Sequence, residues 1–358
     1  MAAKPSCDHL GRGALMKMVV DGRMENAGGV GTYLRQIVAY LSQVGRAPHV
    51  LTPDEVKSPI YSLKEQLELP RRIDPCDLFW SPHFNTPIFP ILANSRVVTI
   101  HDLYHLDHPE RFPRHQRLYA KALYRAAVAR ANLIITVSEF SSKRLIHHFP
   151  SAANKVQVIH SGCDHLSFAA KKPEISLARP FFLFVGNLKP HKNLEVILKA
   201  LTQFPGLDLV VAGQTSGFIH GVDRKELMRR YPSLKKRIHF LGKVSDGELS
   251  WLYQSAEALI FPSLYEGWGL PPLEAMRFGC PVIASTAASI PEACGEGALY
   301  FAPTSVAALR EAMADLPIRR SELIRLGRER AAHFSWKKAG KEHHLAFRKV
   351  VEASLSRR

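Results

Sequence analysis

Short apolar strands alternate with helices along both halves of this chain, and in each half a glycine-containing loop joins a strand to a helix. The first unit runs from residues 15–20 through Gly28-Gly29-Val30-Gly31 to the helical segment TYLRQIVAYL. The second runs from residues 181–185 through GNLKPHKN to a helix starting near Leu194. Because strands and helices that alternate in this way indicate mainly parallel sheets, the pattern predicts an α/β protein with ligands at the carboxyl ends of its strands.

The stretch FPSLYEGWGLPPLEAM, residues 261–276, carries the densest group of candidate site residues. Its glycines permit tight or left-handed backbone, and its adjacent prolines suit the first turn of a helix. This predicts Glu266 at the carboxyl end of a strand and Glu274 on the first turns of the next helix. Loop amides and a helix N-terminus would attract a diphosphate there, and a carboxylate beside it would bind hydroxyls. By itself, such a pair of carboxylates is more often a loop charge and a solvated helix residue.

Three other positions are candidates on chemistry alone. His101 closes the strand 97–100, where it would donate a hydrogen bond to a sugar hydroxyl or be a satisfied buried imidazole. Lys192, in the loop after the strand 181–185, would neutralise a diphosphate leaving group or be a solvated loop lysine. The glycines before the first helix would admit a phosphate or form a plain tight turn. His101 and His105 do not predict a zinc site, because the first ends a strand and no third ligand is evident.

Composition limits the class of partner and the location. A chain of 358 residues with a net charge of +16 is long enough for two domains and indicates an anionic partner. The basic residues lie in both halves, which makes nucleic acid the weaker interpretation. Five cysteines without a CxxC pair, and no apolar run long enough to span a bilayer, predict a reduced, cytoplasmic setting.

The segment RHQRLYAKALYRAAVAR, residues 114–130, contains basic residues and no acidic ones. Its pattern predicts an amphipathic helix. The basic side is either the solvated face of a core helix or a docking surface for anionic lipid or a lipid-linked diphosphate acceptor. The predicted apolar stripe consists of Leu118, Tyr119, Ala122, Leu123 and Ala126.

The motifs EGWGLPPLE, GNLKPHKN and the His-Asp pair at 101–102 resemble those of the retaining glycosyltransferases of family 4 (group 1). The resemblance covers nearly all of the chain past residue 15. It implies the GT-B fold, in which two Rossmann-like domains face each other across a cleft. The implied division is a flexible tail at 1–14, an acceptor domain at 15–170, a nucleotide-sugar donor domain at 171–335, and a final helix at 336–358 that crosses back onto the first domain.

The resemblance also implies roles for individual residues. Glu266 and His101 would contact the transferred hexose, Glu274 the ribose hydroxyls, and Lys192 the phosphates. Many family members carry arginine where Asn187 and His191 stand here, so Lys189 or a first-domain residue becomes the candidate for the second cation. The remaining donor contacts would come from Gly29, Gly31, Asn187, Lys189, Lys243, Val244, Gly267, Trp268, Gly269 and Leu270, with Ser289, Pro291 and Glu292 shaping the pocket floor.

The activity implied is transfer of a hexose, with retention of configuration, from a nucleotide diphosphate sugar to a hydroxyl of a glycan or lipid-linked glycan. No cofactor or metal is expected. The runs DGRMENAGGVGTYLRQI and HDLYHLDHPERF are most similar to bacterial enzymes of O-antigen, capsule or exopolysaccharide synthesis, which favours mannose from GDP-mannose. Alternatives are a UDP- or dTDP-sugar donor, a sugar-nucleotide epimerase of the same fold, or a non-catalytic basic binding module. The expected location is the cytoplasm, with peripheral contact to the inner face of the plasma membrane.

Overall fold

The structure, a computed structural model, describes residues 16–177, 179–214 and 224–356. The predicted flexible tail at 1–14 lies outside these residues. Within them the chain forms two separate six-stranded sheets, and every strand pairing in both sheets is parallel. The α/β prediction is therefore confirmed.

The first sheet has the strand order β2-β1-β3-β4-β5-β6. Its strands are β1 (Met18–Asp21), β2 (His49–Leu51), β3 (Cys76–Ser81), β4 (Ala93–Ile100), β5 (Leu133–Thr136) and β6 (Val156–Val158). The chain leaves β1 towards β2 on one side and continues on the other side with β3. The direction of winding therefore reverses between β1 and β3, which is the topological switch point of this sheet.

In the described part of the first half, the α-helices are α1 (Gly28–Gln43), α2 (Leu63–Arg72), α3 (Tyr104–Asp107), α4 (Arg114–Arg130) and α5 (Glu139–His148). Ser138 caps α5 by accepting a hydrogen bond from the Ser141 amide, because its hydroxyl satisfies an amide that has no partner within the helix. The glycine cluster does not precede α1, as the sequence suggested, but forms its first turn.

Helix α4 has the predicted bounds, but of the predicted apolar stripe only Leu123 is fully buried. Leu118 is 70% exposed, and the buried side chains are Ala120, Leu123, Tyr124, Ala127 and Val128. The helix is turned this way because the Tyr124 ring stacks on Phe84 at 4.3 Å and its hydroxyl donates to the Asp102 carbonyl. The small alanines beside Tyr124 let the helix approach the sheet closely.

The second sheet has the order β12-β11-β10-β7-β8-β9. Its strands are β7 (Phe181–Val185), β8 (Asp208–Ala212), β9 (Ile238–Gly242), β10 (Ala258–Phe261), β11 (Val282–Ser285) and β12 (Ala298–Phe301). Strand β12, at one edge of the sheet, was not predicted. The switch point of this sheet lies between β7 and β10, so the loops that follow these two strands are neighbours.

The helices of the second half are α6 (Leu194–Leu201), α7 (Arg224–Arg230), α8 (Asp246–Ser255), α9 (Leu270–Arg277), α10 (Ile290–Cys294), α11 (Val306–Ala332) and α12 (Trp336–Leu355). Helix α12 packs on the first sheet and α1, where the Phe347 ring lies 5.3 Å from that of Trp80. Gly340 is required at the crossing, because a Cβ there would overlap with the Tyr40 side chain. Among the described helices, none is long and apolar enough to cross a membrane.

Candidate functional site

The two loops at the switch point of the second sheet bring together Lys192 and Glu266. The Lys192 Nζ lies 2.6 Å from Glu266 Oε1, and both side chains are largely buried, with 17% and 15% of their surface exposed. Asn193 stabilises the Lys192 loop: its backbone is left-handed, with φ of 55°, and its amide donates to the carbonyls of Pro262 and Pro303. Two predicted site residues that are distant in sequence therefore form one ion pair.

The loop after β10 is shaped by glycine, proline and serine. Gly269 has φ of 151°, a conformation that side chains rarely adopt, and Pro271 and Pro272 occupy the first turn of α9, as predicted. The Ser289 hydroxyl is close to two loop carbonyls, 2.9 Å from Glu266 O and 2.8 Å from Trp268 O. These contacts hold the Glu266 backbone in place.

Two helix N-termini, one from each half of the chain, meet at this site. A Cβ built on Gly29, in the first turn of α1, would lie 3.5 Å from Leu270 Cδ1, at the start of α9. Each helix start carries unpaired amides and the positive end of a helix dipole. With the Lys192 ammonium nearby, the arrangement suits a diphosphate. Gly31 instead packs against its own loop, where a Cβ would overlap with the Glu25 carbonyl.

His101 ends the adjoining strand β4 and lies directly against the Glu266 loop. A Cβ on Gly267 would overlap with the His101 carbonyl, and the Ser141 hydroxyl is 2.8 Å from the same carbonyl oxygen. Burial lowers the pKa of His101, so the ring is neutral, and Nε2 lies 2.9 Å from the Pro82 carbonyl. Because a carbonyl only accepts, Nε2 carries the proton. This corrects the expectation that His101 donates a hydrogen bond to a sugar hydroxyl. Its single N–H is directed at Pro82, and the other nitrogen, Nδ1, can only accept a hydrogen bond.

Glu274 lies on α9 as predicted, but it is buried and has no cationic partner within hydrogen-bond distance among the described residues. It is 6% exposed, accepts a hydrogen bond from the Tyr253 hydroxyl at 2.8 Å, and lies 3.5 Å from His165 Nε2. Burial raises the pKa of Glu274 to about 7, and burial lowers the pKa of His165 to about 4. A carboxyl poised in this way near neutrality is typical of functional sites.

The other predicted donor contacts surround this centre. Asn187 Oδ1 and Trp268 Nε1 are buried polar atoms without a hydrogen-bond partner in the part of the chain that the structure describes. Removal from water, followed by the charge of Lys192, lowers the pKa of Lys189. Lys243 is exposed and Val244 half-buried in the loop after β9.

Contacts made by aromatic rings were missed by sequence reasoning. Tyr265, inside the central motif, donates from its hydroxyl to Asp107 Oδ2 at 2.6 Å, and its ring lies 5.3 Å from Tyr104. Tyr104 also lies 4.8 Å from His191, whose pKa burial and the charge of Lys192 lower to about 3. In the sequence, the clue to a role for Tyr265 was its position next to Glu266. A pKa of about 3 leaves the His191 ring neutral in this structure.

No group of three His, Cys, Asp or Glu side chains that would hold a metal ion occurs among the described residues.

Two family models match the chain, one in each half. The model described as Glycosyltransferase Family 4 matches residues 27–165, and the model described as Glycosyl transferases group 1 matches residues 167–330.

Similar curated proteins include two mannosyltransferases. O-antigen chain mannosyltransferase B of Escherichia coli is 29% identical over 277 residues, which cover 72% of this chain and 71% of that protein. O-antigen chain mannosyltransferase RfbU of Salmonella typhimurium is 31% identical over 216 residues, 60% of this chain and 58% of that protein.

Solved structures share the fold. Sucrose-phosphate synthase from Thermosynechococcus elongatus has a TM-score of 0.75 at 20% identity, covering 94% of this chain and 99% of that one. Anabaena Alr3699/HepE in complex with UDP and glucose has a TM-score of 0.70 at 18% identity, covering 92% of this chain and 98% of that one. With two parallel sheets that match these GT-B structures and a family model in each half, the chain belongs to the family 4, group 1 glycosyltransferases.

Proposed function

We propose that the protein transfers mannose from GDP-mannose to a hydroxyl of a glycan or lipid-linked glycan, with retention of configuration and without a metal ion. The observation that carries this proposal is the Lys192–Glu266 ion pair, 2.6 Å long, beside the facing N-termini of α1 and α9. This arrangement offers a cation and helix dipoles to a diphosphate, next to a carboxylate suited to sugar hydroxyls.

The site would act mainly by stabilising charge and orienting the donor. As the glycosidic bond breaks, negative charge develops on the diphosphate, where Lys192 and the helix N-termini would stabilise it. Glu266 would hold the hexose through its hydroxyls. The leaving diphosphate oxygen would help to take the acceptor's proton on the same face of the sugar, so that the reaction needs no protein nucleophile.

Two of the similar proteins are mannosyltransferases of the O-antigen chain, and this supports mannose as the sugar and bacterial surface polysaccharide as the product. A UDP-sugar donor is the second candidate. It is favoured by the similarity of fold to a protein solved with UDP and glucose. With either donor, the sugar would be transferred to the acceptor's hydroxyl by the same chemistry.

The first test replaces either member of the ion pair and measures transfer from a panel of GDP-, UDP- and dTDP-sugars. Glu266→Ala and Lys192→Ala should each lower turnover of one preferred donor by about 10²–10³-fold, the usual effect of removing one stabilising group from an active site. Arg230→Ala is a matched control, because it breaks a surface ion pair with Glu195, at 2.9 Å, outside the site. Full activity in either site variant would contradict the assigned role. NMR of the product's anomeric proton tests retention.

The same proposal places the enzyme in the cytoplasm, against the inner face of the plasma membrane. Helix α4 supports this, because its outer face combines the exposed Leu118 with basic side chains that include Lys121 and Arg125. Cosedimentation with anionic vesicles, lost on Leu118→Glu, is the expected result, whereas equal binding of both proteins would reject this surface.

A further inference from the structure

The loop that carries Glu266 reaches into the first half of the chain through Tyr265, which is 6% exposed. The Tyr265 hydroxyl donates a hydrogen bond to Asp107 Oδ2 at 2.6 Å. Three aromatic rings of the first half surround the tyrosine ring, with centroids 5.3, 5.5 and 5.6 Å away: Tyr104 in α3, His108 directly after α3, and Phe140 in α5. We call these rings and the Asp107 carboxylate the Tyr265 socket. A side chain of the second half is thus enclosed by the first half.

The Asp107 carboxylate is held in place by two side chains of α5. The Arg144 Nε lies 3.0 Å from both carboxylate oxygens, and His148 Nε2 lies 2.7 Å from Oδ1. Although burial opposes ionisation, hydrogen bonds from Arg144, Tyr265 and His148 lower the pKa of Asp107 to about 2. Burial, together with Asp107, raises the pKa of Tyr265, so the tyrosine keeps its proton. The contact is therefore a charge-assisted hydrogen bond to an acceptor that the first half holds fixed.

The socket holds the residue directly before Glu266. On one side of Tyr265, the Leu264 amide donates to the His191 carbonyl at 2.7 Å. On the other side, Glu266 pairs with Lys192 at 2.6 Å. Both of these contacts lie within the second half, so they fix the loop against its own domain. The hydrogen bond of Tyr265 fixes the same loop against the first half.

This position matters for the proposed transfer, in which Glu266 holds the hexose while the first half binds the acceptor. The two must be aligned, and displacements near 1 Å at a reacting centre lower rates by large factors. The groups proposed to bind the nucleotide are held by other contacts. Glu274 accepts from Tyr253 at 2.8 Å, and Asn193 holds the Lys192 loop through the Pro262 carbonyl at 3.1 Å. Loss of the Tyr265 hydroxyl should therefore affect the transfer step and spare nucleotide affinity.

We infer that Tyr265 is a positioning residue, which acts through its hydrogen bond to Asp107 to hold Glu266 in the orientation that transfer requires. This inference rests on the proposed function and extends it. The sugar-binding carboxylate belongs to the second half, but its placement depends on a carboxylate of the first half. Transfer is thereby tied to the arrangement in which the two halves are in contact.

The test compares Tyr265→Phe with the wild type in the full chain, using the donor that the wild type prefers. It measures kcat and KM for transfer, and the affinity for GDP and UDP by calorimetry. The variant should lower kcat about tenfold, as expected for one lost hydrogen bond to a charged group, with nucleotide affinity unchanged within about twofold. Tyr231→Phe is the matched control, because it removes a tyrosine hydroxyl that donates to Glu195 at 2.9 Å outside the site, and it should leave kcat unchanged.

A double-mutant cycle separates positioning from a role of Tyr265 that is independent of Glu266. A residue that acts only through Glu266 has nothing to position in Glu266→Ala, so adding Tyr265→Phe to that variant should lower its residual transfer no further. A further tenfold loss in the double variant would overturn this inference.

If Tyr265→Phe does not fold, Asp107→Asn keeps the shape of the acceptor, removes its charge, and should show the same loss of kcat without loss of nucleotide affinity. Wild-type kcat in these variants, or an equal loss of kcat and nucleotide affinity, would overturn this inference alone, provided that Glu266→Ala has lost transfer. Full transfer by Glu266→Ala would overturn the role of Glu266 in the proposed function and this inference with it.

Discussion

At the scale of single residues, the two carboxylates of the central motif differ in their partners. Glu266 has a cationic partner in Lys192, whereas Glu274 has a tyrosine hydroxyl and the neutral ring of His165. Because burial without a charged partner disfavours ionisation, the pKa of Glu274 is raised to about 7. Glu274 thus gains or loses its proton as the pH passes through neutrality.

We predict that nucleotide-sugar binding strengthens as pH rises from 6 to 8. Ribose hydroxyls would donate to ionised Glu274, and with a pKa of about 7 roughly nine-tenths of the carboxyl is protonated at pH 6. The affinity should therefore be about tenfold lower at pH 6 than at pH 8, as measured by calorimetry with GDP-mannose or UDP-glucose. Glu274→Gln should bind with no such slope. A slope that persists in this variant would assign the pH dependence to another group.

At the scale of elements, the site depends on how closely loops and helix starts approach one another. Gly267 touches the backbone at the end of β4, and Gly29 faces the start of α9. The Ser289 hydroxyl donates a hydrogen bond to the Glu266 carbonyl and so holds the Glu266 loop in place. These contacts leave no room for a side chain at Gly267, because the atom it would meet belongs to the backbone of another strand end and moves only with that strand.

Gly267→Ala should therefore separate the Glu266 loop from His101 and lower transfer at least about tenfold, since displacements near 1 Å at a reacting centre have effects of this size or greater. Gly206→Ala is the matched control, because a Cβ there meets no atom within 4 Å and should leave transfer unchanged. Transfer rates and melting temperatures of both variants are the measurements. Wild-type transfer by Gly267→Ala would show that this contact is not part of the active arrangement.

At the scale of the whole molecule, α12 and Glu292 are among the contacts that join the two halves. Glu292, on α10, accepts hydrogen bonds from the Glu139 and Phe140 amides at the start of α5, at 2.7 and 2.9 Å, and lies 3.0 Å from His160 Nε2. The expected role in the donor pocket floor stays a prediction. The contacts seen here make Glu292 an N-terminal cap, supplied by the second half of the chain to a helix of the first.

Glu292→Ala should loosen the contact between the two halves. It removes two or three hydrogen bonds to a charged acceptor, which contribute about 3–5 kcal/mol together when each contributes about 1.5 kcal/mol, the lower end of the range for charged groups. The expected result is a larger radius of gyration by small-angle X-ray scattering, with the fold of each half retained by circular dichroism. Glu296→Ala alters an exposed carboxylate of the same segment and should leave the radius unchanged. Equal radii for all three proteins would contradict the bridging role.

Local chemistry made much of the fold predictable. The apolar run at Phe181–Val185, the cap at Ser138 and the proline pair at Pro271-Pro272 act on their own neighbours, so short stretches sufficed to predict a strand, a helix start and a turn. The alternation of strands and helices predicted two parallel sheets. It also predicted that Lys192, His101 and Glu266 lie at the carboxyl ends of the strands. Strand β12 was missed, although other four-residue strands such as β1 were predicted.

The tertiary structure alone decided which groups meet and which protons they carry. The ion pair of Lys192 with Glu266 joins residues 74 positions apart, and Arg23, which follows β1, binds Glu65 of α2. The hydrogen bond of His101 Nε2 to Pro82 and the raised pKa of Glu274 follow from burial against distant segments. Residue type and spacing determine local conformation, whereas burial and partnership depend on the packing of the entire chain.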